Sequence, residues 1–132
     1  MLWSKQLLTV FTLVFLVAAG VAAVKAPKRQ YKNLQILPQD ISEQRLDSIM
    51  QSYNKALGVD CSFCHTAVDK FPDSLDYASD RNRMKENARE MMRMTIHINK
   101  TWFYFDKTER PEYLKVVHCM TCHRGVAYPT EE

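Results

Sequence analysis

The sequence predicts an all-α domain, and three observations lead to that class. Glycine (3) and proline (5) are both sparse among 132 residues, whereas all-β folds place these residues at frequent turns. Two stretches repeat apolar residues three and four positions apart, as amphipathic helices do. The composition, 46% hydrophobic and 25% charged, is ordinary for one small globular domain and excludes a multidomain enzyme.

The charge balance also excludes a class of function. Lysine and arginine total 18 against 15 acidic residues, which gives a formal net charge of +3. This excess is too small and too dispersed to indicate nucleic-acid binding.

The N-terminus contains an apolar segment, residues 7–24, which has eighteen residues without a charge. As a helix it would span roughly 27 Å, close to the bilayer core of about 30 Å. We therefore expect residues 1–24 to be a transmembrane anchor, with a signal sequence cleaved after Ala23 as the alternative. Basic residues cluster after the segment, so the positive-inside rule alone would place the remaining chain in the cytoplasm.

The rest of the chain divides into a linker and one domain. Residues 25–39 predict an extended linker that packs on the domain through Leu34, Ile36 and Leu37, and the domain itself is expected over 40–132.

Two helices are expected in that domain. The first is predicted from Asp40, which with Glu43 matches a capping box, to Gly58, a typical helix C-terminal residue. A turn-rich loop over 67–79 follows. The second helix is predicted from Ser79 or Asp80 to about Asp106, and residues 113–118 predict a short helix or a strand.

Two short motifs indicate the chemistry. Residues 61–65 are CSFCH and residues 119–123 are CMTCH, and both match C-x-x-C-H, the attachment sequence of c-type haem. Two thiols three residues apart can add to the two vinyl groups of one porphyrin, and the adjacent histidine is then held beneath the iron. The motifs predict two covalently attached haems, with thioether bonds from Cys61, Cys64, Cys119 and Cys122 and proximal ligands His65 and His123.

Three other interpretations of the cysteines remain. A four-cysteine zinc site commonly separates its C-x-x-C pairs by about 15–20 residues, whereas Cys64 and Cys119 are 55 positions apart. Two disulfides or a thioredoxin-like redox site would leave the histidines unexplained. Because haem attachment is a feature of exported bacterial proteins, we expect the domain on the periplasmic side of the cytoplasmic membrane.

The sixth iron ligand decides what each haem can do, because a second protein ligand closes the iron and favours electron transfer. For the first haem the candidate is Met50, eleven residues before Cys61 on the apolar face of the first helix. The second helix offers several candidates for the other haem. Those candidates are Met84, Met91, Met92, Met94 and His97, of which Met91 and Met94 share the apolar stripe.

The motifs and their flanks resemble a known family, the cytochrome c subunit of photosynthetic reaction centres. The resemblance covers about residues 31–129. Its most specific stretches are LQILPQDIS, MQSYNKALGVDCSFCH, AREMMRMTIHINKTWF and CMTCHRG. It implies axial methionines at Met50 and Met91, with Met94 or His97 as less favoured sixth ligands of the second haem, and the same cysteines and histidines as the motifs. Further matching positions are Asn99, Trp102, Arg124 and Gly125.

The chain also departs from this family. The best-known members bind four haems, whereas this chain has two attachment motifs, so it resembles half of that subunit. Near the end of the long helix those members carry a histidine ligand for a haem in the other half, and the equivalent here is about Phe105. Small two-haem relatives occur in non-photosynthetic bacteria.

The predicted function is therefore a membrane-tethered periplasmic dihaem cytochrome c. It is expected to be an electron carrier rather than an enzyme, passing single electrons between redox protein partners that include a membrane electron-transfer complex. A peroxidase-like enzyme or gas sensor with one open iron is the alternative. A zinc or disulfide module without haem is a third.

Overall fold

The computed structural model describes residues 2–22 and 31–130. In chain order its helices are α1 (Leu2–Ala22), α2 (Glu43–Leu57), α3 (Arg83–Trp102) and α4 (Cys119–His123), and its strands are β1 (Thr66–Val68) and β2 (Phe71–Asp76). Short 3-10 helices occupy Cys61–Phe63 and Pro111–Tyr113. Residues 25–30 of the expected linker, and the cleavage position after Ala23, lie outside the described residues.

The expectation of a transmembrane helix is wrong. Residues 2–22 form α1, but within the two described ranges no helix combines the length and the apolar character needed to cross a bilayer.

Helix α2 lies where a helix was predicted, but it starts later. Ser42 is the N-cap and its hydroxyl accepts the backbone N–H of Arg45 at 3.2 Å, so the predicted capping box from Asp40 is wrong. The carboxylate of Asp40 instead accepts two hydrogen bonds from the guanidinium of Arg110, at 2.6 and 2.8 Å. Gly58 ends the helix with φ +65°, and its N–H donates to the carbonyl of Asn54.

A second contact ties the loop after α3 to the start of α2. The guanidinium of Arg45 lies 3.6 Å from the ring centre of Tyr113 and 3.4 Å from a carboxylate oxygen of Glu109. With the Arg110–Asp40 pair, these contacts hold the loop at residues 103–113 beside α2.

The all-α class is also wrong, because β1 and β2 form an antiparallel hairpin within the expected loop. Thr66 pairs with Asp76 and Ala67 with Leu75, and the register shifts before Val68 pairs with Phe71. Asp69 and Lys70 form the tight turn between the strands. Both strands of this two-stranded sheet are edge strands, and an edge strand tolerates a proline such as Pro72.

Helix α3 is shorter at both ends than predicted. Asn82 is its N-cap and accepts the N–H of Met84 at 3.0 Å, while the preceding Asp80 is occupied by ion pairs with Lys85 and Arg89. The helix ends at Trp102 rather than at Asp106. The expected helix or strand over 113–118 is also wrong, since only the 3-10 turn at Pro111–Tyr113 is regular there.

The described residues bury few apolar side chains. Leu37, Ile41 and Ala56 are the buried hydrophobic residues within 4–16 and 31–130. The buried polar residues in the same ranges are Arg89, which is 6% exposed, and Asn99, which is 1% exposed. A domain of this size normally needs a larger apolar core, so the apolar side chains of the described residues do not by themselves form one of the usual size.

Candidate haem sites

The first motif, residues 61–65, starts in a capped 3-10 turn. The carboxylate of Asp60 accepts the backbone N–H of Ser62 at 2.9 Å and the Ser62 hydroxyl at 2.5 Å. These hydrogen bonds from Ser62 lower the pKa of Asp60. The N–H of His65 then donates to the carbonyl of Cys61 at 3.0 Å. The turn therefore places both cysteines and the histidine on one short, fixed stretch.

Both cysteines of the first motif are half-buried, and Cys61 lies against α2. The side-chain amide of Asn54 lies 3.4 Å from the sulfur of Cys61. Cys64 is half-buried, and burial raises the pKa of its thiol. Asn54 was not identified from the sequence, although its position seven residues before Cys61 places it on the last turns of α2.

His65 is half-buried between the hairpin end and α3. Its ring meets that of Tyr77 edge-on, with the centroids 5.0 Å apart. Burial lowers its pKa, and the charges of Lys85 and Arg89 lower it further. The neutral imidazole is the form that binds a metal. The Nδ1 of His65 and the hydroxyl of the next residue, Thr66, are buried without a hydrogen-bond partner among the described residues.

The second motif, residues 119–123, is the short helix α4. The hydroxyl of Thr121 accepts the backbone N–H of His118 at 3.1 Å and lies 3.2 Å from the His118 ring, so His118 fixes the start of α4. Cys119 is half-buried, which raises the pKa of its thiol, and Cys122 is exposed. Arg124 ends α4 at φ +52°.

The tautomer of His123 follows from one contact. Its Nδ1 lies 3.1 Å from the carbonyl oxygen of Val126. Because a carbonyl only accepts, Nδ1 carries the proton and donates it, which leaves the Nε2 lone pair free for a metal. The arrangement suits a proximal ligand whose ring orientation is fixed by a backbone group.

Helix α2 brings the two motifs together. The N–H of Gly125, two residues beyond His123, donates to the carbonyl of Ala56 at 2.9 Å. Tyr53, one residue before Asn54, is half-buried, and that burial, with the nearby Cys119, raises its pKa. Adjacent residues of α2 therefore lie near different motifs, Tyr53 near Cys119 of the second and Asn54 in contact with Cys61 of the first.

The C-terminal tail crosses the first motif. The rings of Phe63 and Tyr128 meet edge-on with centroids 6.4 Å apart, and the Tyr128 hydroxyl lies 3.6 Å from the sulfur of Met84. The side-chain amide of Asn82 donates to the carbonyl of Phe63 at 3.0 Å. The start of α3 and the tail thus both pack against the first motif.

A buried asparagine joins α3 to the second motif. The side-chain amide of Asn99 donates to the carbonyls of Leu114 and Val117, at 3.1 and 2.7 Å, and its oxygen accepts the N–H of Val117 at 2.8 Å. Val117 is two residues before Cys119, so this bridge fixes the approach to the second motif. The family resemblance marked Asn99, but its bonding depends on the tertiary fold.

The candidate sixth ligands lie on two helices. Met50 is half-buried on α2, and Met92 is half-buried on α3. Met91 and Met94 are exposed to almost the same extent, 48% and 47%, and His97 is exposed as well. Met91 and Met94 are therefore both exposed on the same side of α3.

The zinc and disulfide interpretations gain no support. All four cysteines are free thiols. Within the described ranges, no three histidine, cysteine, aspartate or glutamate side chains are close enough to hold one metal ion.

The residues fit a porphyrin better. The fold has a small apolar core, yet it leaves Trp102, Phe105 and the two methionines of the stripe exposed to solvent. Each motif keeps two free thiols and an adjacent histidine, and in the first motif the buried Nδ1 of His65 has no partner among the described residues. An apolar ring bound at these positions would bury exposed apolar surface, which is favourable.

Comparison with known proteins identifies the family. The profile of the photosynthetic reaction centre cytochrome C subunit matches residues 16–132, which is most of the chain. The chain belongs to this family. The sequence resemblance is thereby confirmed, and the family is one of c-type cytochromes, which carry covalently bound haem.

Two relatives show how much of a longer protein is represented. The photosynthetic reaction center cytochrome c subunit of Roseobacter denitrificans is 30% identical over 103 residues, 76% of this chain and 26% of that protein. Cytochrome c-554 of Chloroflexus aurantiacus is 32% identical over 110 residues, 80% of this chain and 24% of that protein. The matched region thus spans about a quarter of each relative. No solved structure matches the chain.

Proposed function

We propose that the chain binds two c-type haems, one at each motif, and passes single electrons between redox protein partners. The observation that carries the proposal is the packing of two complete C-x-x-C-H motifs against one helix, α2, through the Asn54–Cys61 and Ala56–Gly125 contacts. One porphyrin at each motif would lie close to the other, as sequential electron transfer requires.

Each motif would hold its haem by the same division of roles. The cysteine pair would form the two thioether bonds, and the histidine and a methionine would be the protein ligands of the iron. The residues are Cys61, Cys64, His65 and Met50 for the first haem, and Cys119, Cys122, His123 and Met91 for the second. The bound haem iron supplies the one-electron chemistry, and a methionine ligand favours the reduced state.

The protein groups would position these ligands. Asp60 and Thr121 fix the two motif turns by hydrogen bonds to backbone N–H groups. The bond from His123 to Val126 holds that ring with Nε2 free. Asn99 ties the segment before the second motif to α3, the helix that carries Met91.

The partners and the location are proposed by analogy. One relative is named as a photosynthetic reaction center subunit, so a membrane electron-transfer complex is the partner we propose, in a photosynthetic or a respiratory chain. Covalent haem attachment supports a location on the periplasmic side of the bacterial cytoplasmic membrane.

Absorption spectra of the purified ferric and ferrous protein, with a pyridine haemochrome assay and added carbon monoxide, test this function. We expect two c-type haems per chain, the charge-transfer band of methionine-ligated ferric haem, and no change with carbon monoxide. A haem that binds carbon monoxide would show an open iron and contradict the closed electron carrier. A colourless protein would contradict haem binding altogether.

A further inference from the structure

The second motif lies in a stretch of chain without acidic residues. Residues 113–130 contain no aspartate or glutamate, whereas Lys115 and Arg124 each carry a positive charge. Both residues are exposed. This end of the molecule is therefore basic whether or not a haem is bound.

The contact between α2 and the end of α4 adds a third cation. The carbonyl of Ala56 accepts the N–H of Gly125, the residue after Arg124, at 2.9 Å. Lys55 directly precedes Ala56 on the last turn of α2 and is exposed. The backbones of Lys55 and Arg124 therefore lie close together.

A second contact adds a fourth cation, on the segment that leads into the motif. The side-chain amide of Asn99 donates to the carbonyls of Leu114 and Val117. Lys115 lies between these two residues in the chain, and Lys100 follows Asn99 on the last turn of α3, where it is exposed. The segment before α4 thus also has two cations beside it.

We call these four residues the basic rim: Lys55, Lys100, Lys115 and Arg124. None of the four makes an ion pair within the part of the chain that the structure describes. The first motif has the opposite surroundings, because residues 60–80 contain five aspartates and one lysine. The unneutralised positive charge therefore lies at the second motif.

Exposed apolar residues accompany the basic rim. Val116, next to Lys115, is 53% exposed, and Val126, two residues after Arg124, is 52% exposed. Cys122 of the motif is exposed as well. Apolar surface beside a charged edge is the composition of many protein–protein interfaces.

The carboxylates of a bound haem would not cancel this charge locally. Thioether bonds are made to the vinyl edge of a porphyrin, and the two propionates are on the opposite edge of the ring. The propionates would therefore be separated from Cys119 and Cys122 by the width of the ring.

We propose that the basic rim, with Val116 and Val126, is a docking surface for the acidic face of a redox protein that exchanges electrons with the second haem. The haem itself rests on the proposed function. Carboxylates on the partner are attracted to the rim, and this long-range attraction raises the rate of association. A phospholipid headgroup offers the same negative charge but neither donates nor accepts an electron.

Reduction of the ferric holoprotein by flavodoxin hydroquinone, followed by stopped-flow absorption, tests this surface. Flavodoxin is an acidic redox protein, and its flavin becomes the semiquinone as one electron passes to a ferric iron. We expect the second-order rate constant to fall as salt is added, because salt screens the attraction.

The decisive variant combines Lys100→Gln with Lys115→Gln. At low salt its rate constant should be about 3- to 10-fold below that of the wild type. At about 1 M salt, where the Debye length is about 3 Å, the two rate constants should be equal. Binding of oxidised flavodoxin, measured by calorimetry at low salt without electron transfer, should weaken by a similar factor.

Two control variants separate local charge from other effects. Lys32→Gln with Lys70→Gln removes the same charge from exposed positions near the hairpin, since Asn33 bonds Asp80 and Lys70 is in the hairpin turn. It should lower the rate constant by less than about twofold. Lys100→Arg with Lys115→Arg retains the charge and should keep the wild-type rate constant.

Three results would overturn the proposal. The first is equal slowing by the two glutamine pairs, which would show that only net charge matters. The second is a rate constant that rises with salt. The third is an unchanged flavodoxin rate while Lys100→Gln with Lys115→Gln abolishes sedimentation with phosphatidylglycerol vesicles, which would assign the rim to a lipid surface. Fewer than two haems in the haemochrome assay would instead refute the proposed function, so the failures are distinguishable.

Discussion

Gly58 and Gly125 are in direct backbone contact, so that a Cβ at position 58 would overlap the carbonyl oxygen of Gly125. Gly58 precedes the first motif by three residues, and Gly125 follows the second by two. The contact therefore joins the two motifs at their backbones. Because both glycines have positive φ, +65° and +93°, each also provides a conformation that other residues adopt at a cost.

This contact predicts different effects for two alanine substitutions. Gly125→Ala adds backbone strain alone, since its Cβ would meet nothing within 4 Å, and should destabilise the holoprotein by about 1–2 kcal/mol. Gly58→Ala adds the overlap as well, and should cost about 2–4 kcal/mol in total. Denaturant unfolding followed by circular dichroism measures both values. Equal losses would show that the close approach does not matter.

Asn99 predicts a large loss of stability from one polar residue. Asn99→Ala removes two donated hydrogen bonds and one accepted bond, leaving the carbonyls of Leu114 and Val117 and the N–H of Val117 without this partner. The free energy of unfolding should fall by about 3 kcal/mol. Asn87→Ala, at an exposed position of the same helix, is the matched control and should change it by less than about 0.5 kcal/mol. Similar values for the two variants would refute this role.

The contacts of Asp80 with Asn33, Lys85 and Arg89 should weaken in acid. Hydrogen bonds from Asn33 and Arg89, with Lys85 nearby, lower the pKa of Asp80. A carboxyl group whose pKa is lower in the folded than in the unfolded protein stabilises the fold at pH values above its unfolded pKa of about 3.9. That contribution disappears as the pH falls below this value and through the folded pKa.

The measurement is the free energy of unfolding between pH 7 and pH 2. Asp80→Asn should show a smaller fall in stability than the wild type across the acid range. Asp73→Asn, at an exposed position of β2, serves as the control and should retain the wild-type profile. An unchanged acid profile for Asp80→Asn would argue against this contribution.

Replacing the methionine proposed as the sixth ligand of a haem should leave a free coordination position on its iron. Met50→Ala should let carbon monoxide bind one of the two haems, and Met91→Ala should do so for the other, because each removes the sulfur that closes the iron. Met94→Ala is the matched control, since Met94 shares the apolar stripe and the exposure of Met91. Carbon monoxide binding in the Met94 variant, with none in the Met91 variant, would reassign the ligand.

The helices of the domain were predictable because their signals are local. The apolar periodicity of α2 and α3, and glycine at the end of α2, each depend on neighbouring residues. The start of α2 was not predictable in this way, because Asp40 pairs with Arg110, seventy residues away. The hairpin was missed for a different reason. Pro72 and the aspartates around it signal turns, and neither Thr66–Val68 nor Phe71–Asp76 has the regular alternation of apolar and polar residues that indicates a strand.

The candidate haem sites were also predictable only in part. The cysteines and histidines follow from a motif that is contiguous in sequence, so their positions were predictable. The environment of each histidine was not, because Lys85 lies twenty residues beyond His65 and reaches it only through the fold. The contact of Asn54 with Cys61 likewise depends on the turn that follows α2.

Peptide mapping of the holoprotein by mass spectrometry determines whether each motif holds one covalent haem. After proteolysis, the peptide containing Cys61 and Cys64 and the peptide containing Cys119 and Cys122 should each have the added mass of one haem. The two additions should match the two haems counted in the intact chain. A haem on one peptide alone, or on neither, would contradict the account.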